Sequence, residues 1–287
     1  MNRKFAEDGF LLVKAPDLAP LINDAVEALA RALSVAMPTA AEAPIGADSE
    51  SPWSRIEGGF EALFQTHPAT YFGLLRAWAR STEVLALCTS SPVVSAVLDC
   101  GVRSPSIVTE PTLHVVSPNL VQTQDKVFTP FHQDYYSTRG SIGQCVVWIP
   151  LHDVLNNHAT VEVLPGSHLL GPLPTIETEF GSATTGEVTE SVGSQLRPKT
   201  GDFLVFSSML VHRTTAPAIQ STAPPERSEA PVNQRWAISI RFNDLDDAGW
   251  RDSNYTNPFG RCRDSDLADS LVRPTVQHVQ HYFSSGN

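Results

Sequence analysis

The chain has 287 residues, 20 Lys plus Arg against 31 Asp plus Glu, a formal charge of −11 and four cysteines. That length suits one elaborated domain or two ordinary ones. An acidic chain without a basic run of five or more argues against nucleic acid or an anionic membrane as the main partner.

The N-terminus carries a basic pair, but acidic residues follow where an apolar signal core would lie, which predicts no export. From Asp17, read as an N-cap, Leu18, Leu21, Ile22, Ala25, Val26, Leu29 and Leu33 recur at helical steps, and Pro20 fits a first turn. Glu27, Arg31 and Ser34 interrupt the apolar run from Ala25 to Met37, so no membrane span is expected there. Pro38 to Pro52 lacks periodicity and reads as a loop. Pro68 opens a second helix with Tyr71, Leu74, Leu75 and Trp78. Ser91-Pro92 and Gly101 bracket a third.

After about Ile107 the pattern changes to short β-like runs: Ile107–Val116, Phe128–Tyr135, Gln144–Val154, Thr160–Leu164, Asp202–Thr214 and Arg235–Phe242. These predict a mainly β (α+β) fold, a double-stranded β-helix or jelly-roll barrel flanked by N-terminal helices. Residues 171–200 and 218–232 read as surface insertions, and Asp266–Phe283 as a C-terminal helix. The expected organisation is a single domain over 1–287, with a helical flank at 1–105, the jelly-roll core at 106–243 and an extension at 244–287. Cys88, Cys100, Cys145 and Cys262 show no CxxC spacing and read as reduced thiols of a cytoplasmic protein.

In a strand over Phe131-His132-Gln133-Asp134, the side chains of His132 and Asp134 would share one face. Alone the pair means little. His212, at the end of the apolar run Phe203-Leu204-Val205-Phe206, could reach the same interior from the opposite sheet. Two imidazoles and one carboxylate are the donor set that holds ferrous iron with positions left open. Along Arg235-Trp236-Ala237-Ile238-Ser239-Ile240-Arg241, the residues Arg235, Ala237, Ser239 and Arg241 share a face opposite the bulky apolar ones. An inward Arg there could grip the far carboxylate of a keto acid. His114 and His152 read as core or edge histidines and His168 as a turn residue.

These motifs, in this order, resemble the phytanoyl-CoA dioxygenase family of Fe(II)- and 2-oxoglutarate-dependent oxygenases. The likeness runs from Phe5-Ala6-Glu7-Asp8-Gly9-Phe10 through His132-Gln133-Asp134, Val147-Trp148, Val163-Leu164-Pro165-Gly166-Ser167-His168 and Gly201-Asp202 to the Arg235 strand. It implies His132, Asp134 and His212 as iron ligands, and Arg235, Thr214 and Trp148 around the 2-oxoglutarate, with O2 as the third reactant. Two departures stand out. The 23-residue interval from His212 to Arg235 makes Arg241 a rival for the carboxylate, and Asn156-Asn157-His158-Ala159 replaces a tighter turn. The reaction implied is hydroxylation of a C–H bond with release of succinate and CO2. Halogenation is disfavoured because related halogenases lack the carboxylate kept here as Asp134.

Tyr136, Arg139, Arg241 and Asn243 could face a substrate, and they favour a small polar or anionic molecule, in one variant saccharide-like. Oligomeric state is not legible. Two alternatives share the fold: a zinc-type hydrolase or isomerase, and a non-catalytic jelly-roll binding module. The first gives Arg235 and Thr214 no task, and the second gives the ligand set none.

Overall fold

The computed structural model describes residues 1–37, 52–116, 129–156, 158–178, 181–215, 234–256 and 274–284. The order begins with α1 (Arg3–Asp8), β1 (Phe10–Lys14), a 3-10 turn at Pro16–Leu18 and α2 (Ala19–Ala36). Next come α3 (Pro52–Thr66), α4 (Pro68–Trp78), α5 (Thr82–Cys88), α6 (Ser91–Asp99), β2 (Pro105–Ile107) and β3 (Thr112–Val116). The short α7 (Tyr135–Thr138) precedes β4 (Cys145–Pro150), β5 (Thr160–Val163), β6 (Thr175–Thr178), β7 (Gly181–Thr184) and β8 (Ser194–Leu196). Then follow β9 (Asp202–Ser207), β10 (His212–Thr215), β11 (Arg235–Asp244), α8 (Ala248–Asp252) and α9 (Val276–Ser284).

The major sheet runs β1-β9-β4-β11-β2, with β3 also paired to β11, and the minor sheet runs β10-β5-β8. The jelly-roll expectation holds. Side chains alternate across a strand, and β11 shows why the two faces differ. Trp236, Ile238, Ile240 and Phe242 join Val147, Ile149, Phe203 and Val205 in one apolar cluster with Ile22, Leu29, Phe60 and Leu87 from the helices. On the opposite face, Val146, Trp148, Leu204, Phe206 and Ala237 meet Val161 and Val163 of the minor sheet. The helical layer therefore closes the outer face of the major sheet, and the space between the two sheets is left for the site.

Several sequence readings change. The first hundred residues are not all helical, because Phe10–Lys14 forms β1 and pairs in register with β9, from Phe10↔Phe206 to Lys14↔Asp202. Asp17 does not cap α2; it lies in the 3-10 turn, and Leu18 precedes the helix without a side-chain cap. Ser90, not Ser91, precedes α6, also without a side-chain bond. Pro52 begins a helix, α3, that periodicity missed, although Ile56, Phe60 and Leu63 are buried along it. Thr82–Cys88 is a further helix, capped by the Ser81 side chain on the Val84 N–H.

The expected strand over Phe128–Tyr135 does not form in its described part, residues 129–135. His132 makes one isolated bridge, and the chain then turns at Asp134 into α7. Asp202–Thr214 divides into β9 and β10, which lie in different sheets, and Ile107–Val116 divides into β2 and β3. The segment 171–200 is more than a surface insertion, since its β8 extends the minor sheet. The C-terminal helix starts at Val276, with Val279 and Phe283 buried. Residues 38–51, 218–232 and 266–273 lie outside the described residues. Thr82–Asp99 is long and apolar enough to cross a membrane by length and composition. It is broken between α5 and α6, whose Val84, Leu87, Val93 and Val97 are buried in the core.

Candidate metal centre and its cavity

His132 and His212 face each other across the isolated antiparallel bridge, each backbone N–H donating to the other's carbonyl at 2.9 and 3.0 Å. Their ring centroids are 4.2 Å apart. The two Nε2 atoms lie 3.5 and 3.8 Å from Asp134 Oδ1, and the three ligand atoms fall within 4.8 Å of one another.

The backbone sets the tautomers. His132 Nδ1 is 2.8 Å from the Pro130 carbonyl and His212 Nδ1 is 3.0 Å from the Leu210 carbonyl. A carbonyl only accepts, so each Nδ1 carries a proton and donates it, and Nε2 is the ring atom turned toward Asp134. Burial, followed by the neighbouring His132, pushes the His212 pKa down to about 4, so this ring is neutral at pH 7. Burial alone would favour a neutral Asp134, but the Arg241 guanidinium outweighs it and holds the carboxyl well below the usual range. Two imidazoles presented through Nε2 and an ionised carboxylate are the donor set suited to ferrous iron, and the residues present fit that metal.

Arg241 is committed to this centre. Its Nε and Nη2 donate to Asp134 Oδ2 at 2.8 and 2.7 Å, leaving Oδ1 toward the imidazoles. Gln133, between the ligands, faces away from them. Its Nε2 donates to the Gly171 and Met209 carbonyls at 2.9 and 2.7 Å, and its Oε1 accepts from the Leu173 N–H at 2.9 Å. It therefore ties the His132–Asp134 turn to the segment leading into His212.

Arg235 is different. It is 3% exposed, its Nε has no hydrogen-bond partner, and no ion pair reaches it among the described residues. Its guanidinium centre lies 5.5 Å from the Trp148 ring centroid, within the range of a cation–π contact. Burial lowers its pKa to about 10, which still leaves it charged at neutral pH. Burying an uncompensated charge costs several kcal/mol, so an anion belongs against it.

A cavity of about 70 Å³ joins these groups, lined by the ligand triad, Arg235, Arg241, Trp148 and Thr214. A single water needs only about 10–15 Å³, so the space admits a small ligand. His114, Ser239, Thr129 and Arg213 also line it. Sequence reading treated His114 as a core or edge histidine and placed Ser239 on the Arg235 face without a role; the pairing of β3 beside β11 brings His114 to that face. Tyr136, Arg139 and Asn243 are not among the lining residues. The Tyr136 hydroxyl donates to the Leu173 carbonyl. Asn243 is fully buried, its Oδ1 accepting from Ser141 N, Ser141 Oγ and Gln144 Nε2. It holds the turn that follows α7.

A jelly roll with this donor set between its two sheets suits the class of non-haem iron enzymes. The family follows from the sequence: the model described as Phytanoyl-CoA dioxygenase (PhyH) matches residues 5–221, and the chain belongs to that family. It is an enzyme that uses Fe(II), 2-oxoglutarate and O2. Among solved structures, the chain is similar to the non-heme monooxygenase ThoJ in its apo form, at 18% identity and a TM-score of 0.55 over 84% of this chain and 76% of that one. The ThoJ-Ni complex gives 16% identity and a TM-score of 0.50 over the same shares. The epimerase SnoN, in complex with Fe3+, alpha ketoglutarate and nogalamycin RO, gives 17% and 0.48 over 84% and 81%. At these identities the likeness is one of fold. No curated protein matches the chain.

Proposed function

We propose that His132, Asp134 and His212 hold the iron, that Arg235 holds the far carboxylate of 2-oxoglutarate with Thr214 and Trp148 beside it, and that the enzyme hydroxylates a C–H bond of a small polar or anionic metabolite. The observation that carries this reading is the contrast between two arginines on one strand face. Arg241 is spent on Asp134, whereas Arg235 is a buried cation with no counter-charge among the described residues. A dianion with one carboxylate at the metal and one at Arg235 supplies that charge. A hydrolytic metal site would leave it missing.

The bound metal and co-substrate supply the oxidising chemistry, coupling reduction of O2 to formation of succinate and CO2. The chain's own residues orient and exclude. Nδ1 donation to Pro130 and Leu210 keeps both imidazoles presented through Nε2. Arg241 binds Asp134 through one oxygen and leaves the other for the metal. Val146, Trp148, Val161 and Phe206 make the cavity wall apolar and keep water from the reacting groups. Arg213, stacked 4.2 Å from the Phe131 ring and still 40% exposed, puts a cation at the cavity edge, which favours a polar or anionic substrate. Its side chain also pairs with Glu162. Three free, buried cysteines, Cys88, Cys100 and Cys145, suit a reducing compartment, and we place the enzyme in the cytoplasm.

Calorimetric titration of the Mn(II)-loaded protein with 2-oxoglutarate tests the assignment. Arg235→Met removes two charge-assisted hydrogen bonds and is expected to weaken binding at least about a hundredfold. Arg241→Met is expected to weaken it less than tenfold. The reverse ranking would move the carboxylate to Arg241 and refute the assignment.

A further inference from the structure

Beside Arg235 the cavity holds a histidine that the proposed mechanism leaves idle. His114 lies on β3 directly across from Ala237 of β11. Opposed residues on one face are roughly 4.5–5.5 Å apart at Cβ, and diagonal ones roughly 7–8 Å. The diagonal neighbours of His114 on β11 are Arg235 on one side and Ser239 on the other. Ala237 is the smallest side chain on this face of β11 and leaves room for an imidazole above it. His114 therefore stands between Arg235, at one end of the cavity, and the Ser239–Arg241–Asp134 group at the metal end.

Hydrogen bonding at Ser239 bears on which nitrogen of His114 carries the proton. Its Nε2 is 2.8 Å from Ser239 Oγ. Arg241 Nη1, which can only donate, lies 3.5 Å from the same oxygen, at the limit of a hydrogen bond. One lone pair of Ser239 turned toward Arg241 leaves its hydroxyl proton free to be donated to His114 Nε2. In that arrangement the proton of the neutral ring is on Nδ1. Burial, with Arg235 and Arg241 nearby, lowers the pKa of His114 to about 3, so the ring is a neutral donor at working pH. No partner for Nδ1 is present among the described residues, and the side chain borders the cavity.

We propose that His114 is a co-substrate-binding residue, donating its Nδ1–H to the dianion that spans the cavity between the metal centre and Arg235. This rests on the reading of that cavity as the 2-oxoglutarate site. A neutral donor between two cationic ends adds a directional bond without adding charge. It discriminates in favour of a ligand with an acceptor at mid-cavity over a simple monocarboxylate.

The test compares His114→Phe, which keeps the ring's bulk without a donor, with His114→Gln, which keeps an N–H. The full chain is loaded with Mn(II), and binding of 2-oxoglutarate is followed by calorimetry, with Mn(II) affinity and melting temperature measured alongside. Losing a bond to a charged group predicts about ten- to a hundredfold weaker binding for His114→Phe. His114→Gln should stay within about threefold of the native protein, and Mn(II) affinity should change in neither. Ser239→Ala, which frees the tautomer, is expected to weaken 2-oxoglutarate binding about two- to tenfold. The proposal is overturned if His114→Phe binds 2-oxoglutarate within twofold of native, or if His114→Gln is as damaging as His114→Phe at equal Mn(II) affinity. Native protein that takes up Mn(II) but no 2-oxoglutarate would instead overturn the cavity reading, and this proposal with it.

Discussion

Gln133 separates two proposed iron ligands by one position, and its side chain does what neither ligand can do. All three of its hydrogen bonds go to backbone groups of other segments, at Gly171, Leu173 and Met209. Replacing it with Leu leaves two carbonyls and one N–H buried without partners. A buried polar group stripped of its partner costs about 1–3 kcal/mol. Gln133→Leu is therefore expected to lower the stability of the metal-free protein by at least about 2 kcal/mol in urea denaturation. A loss below about 0.5 kcal/mol would show that the tie is not needed. The residue scale is also where sequence reading was least complete. The side-chain types at His132, Asp134 and His212 announce a metal site, but the direction of Gln133 and the partner of Arg241 depend on contacts 76 and 107 residues away in the chain. No spacing rule contains such contacts. Asn243 shows the same limit, since its polarity suggested a substrate contact and its burial serves a turn.

At the scale of elements, what the sequence disclosed was periodicity. The alternation of β11 and the apolar stripe of α2 were legible because each repeats one pattern over two or more turns or pleats. Short elements were not. β1 spans five residues between a six-residue helix and a 3-10 turn, and α3 carries the adjacent Gly58 and Gly59, which dilute its helical signal. The strand expected at Phe128–Tyr135 failed for a different reason. A single bridge to His212 places His132, and the chain then turns at Asp134 into α7, so the two side chains reach the cavity from a bend rather than a ladder. The junction of α1 and β1 depends on Gly9, which adopts φ +80°. A Cβ there would lie 2.4 Å from His168 Nδ1. Gly9→Ala is thus strained in its backbone and crowded against a buried ring. It should lower stability by at least about 2 kcal/mol, visible as a reduced thermal midpoint. An unchanged midpoint would mean that His168 moves aside freely.

For the whole molecule, the division of labour between layers explains how an acidic chain presents a cationic cavity. The charge of −11 is a property of the full sequence, whereas the space between the sheets is lined by Arg213, Arg235 and Arg241, with Asp134 as the one carboxylate among the described residues there. The helical layer shields the outer face of the major sheet, and one apolar cluster runs through α2, α3, α5, β4, β9 and β11. That shared core gives β11 a rigid backing, so Arg235, Ser239 and Arg241 can be held in line on its other face. The central claim is that this line of residues assembles iron and 2-oxoglutarate at one centre. The most direct measurement is anaerobic titration of the metal-free protein with Fe(II) and 2-oxoglutarate, monitored in the visible for the weak charge-transfer band of the chelate. The account predicts a band saturating at one equivalent of each, absent in Asp134→Ala, followed by succinate when oxygen is admitted. Native protein that stays colourless and yields no succinate would contradict it.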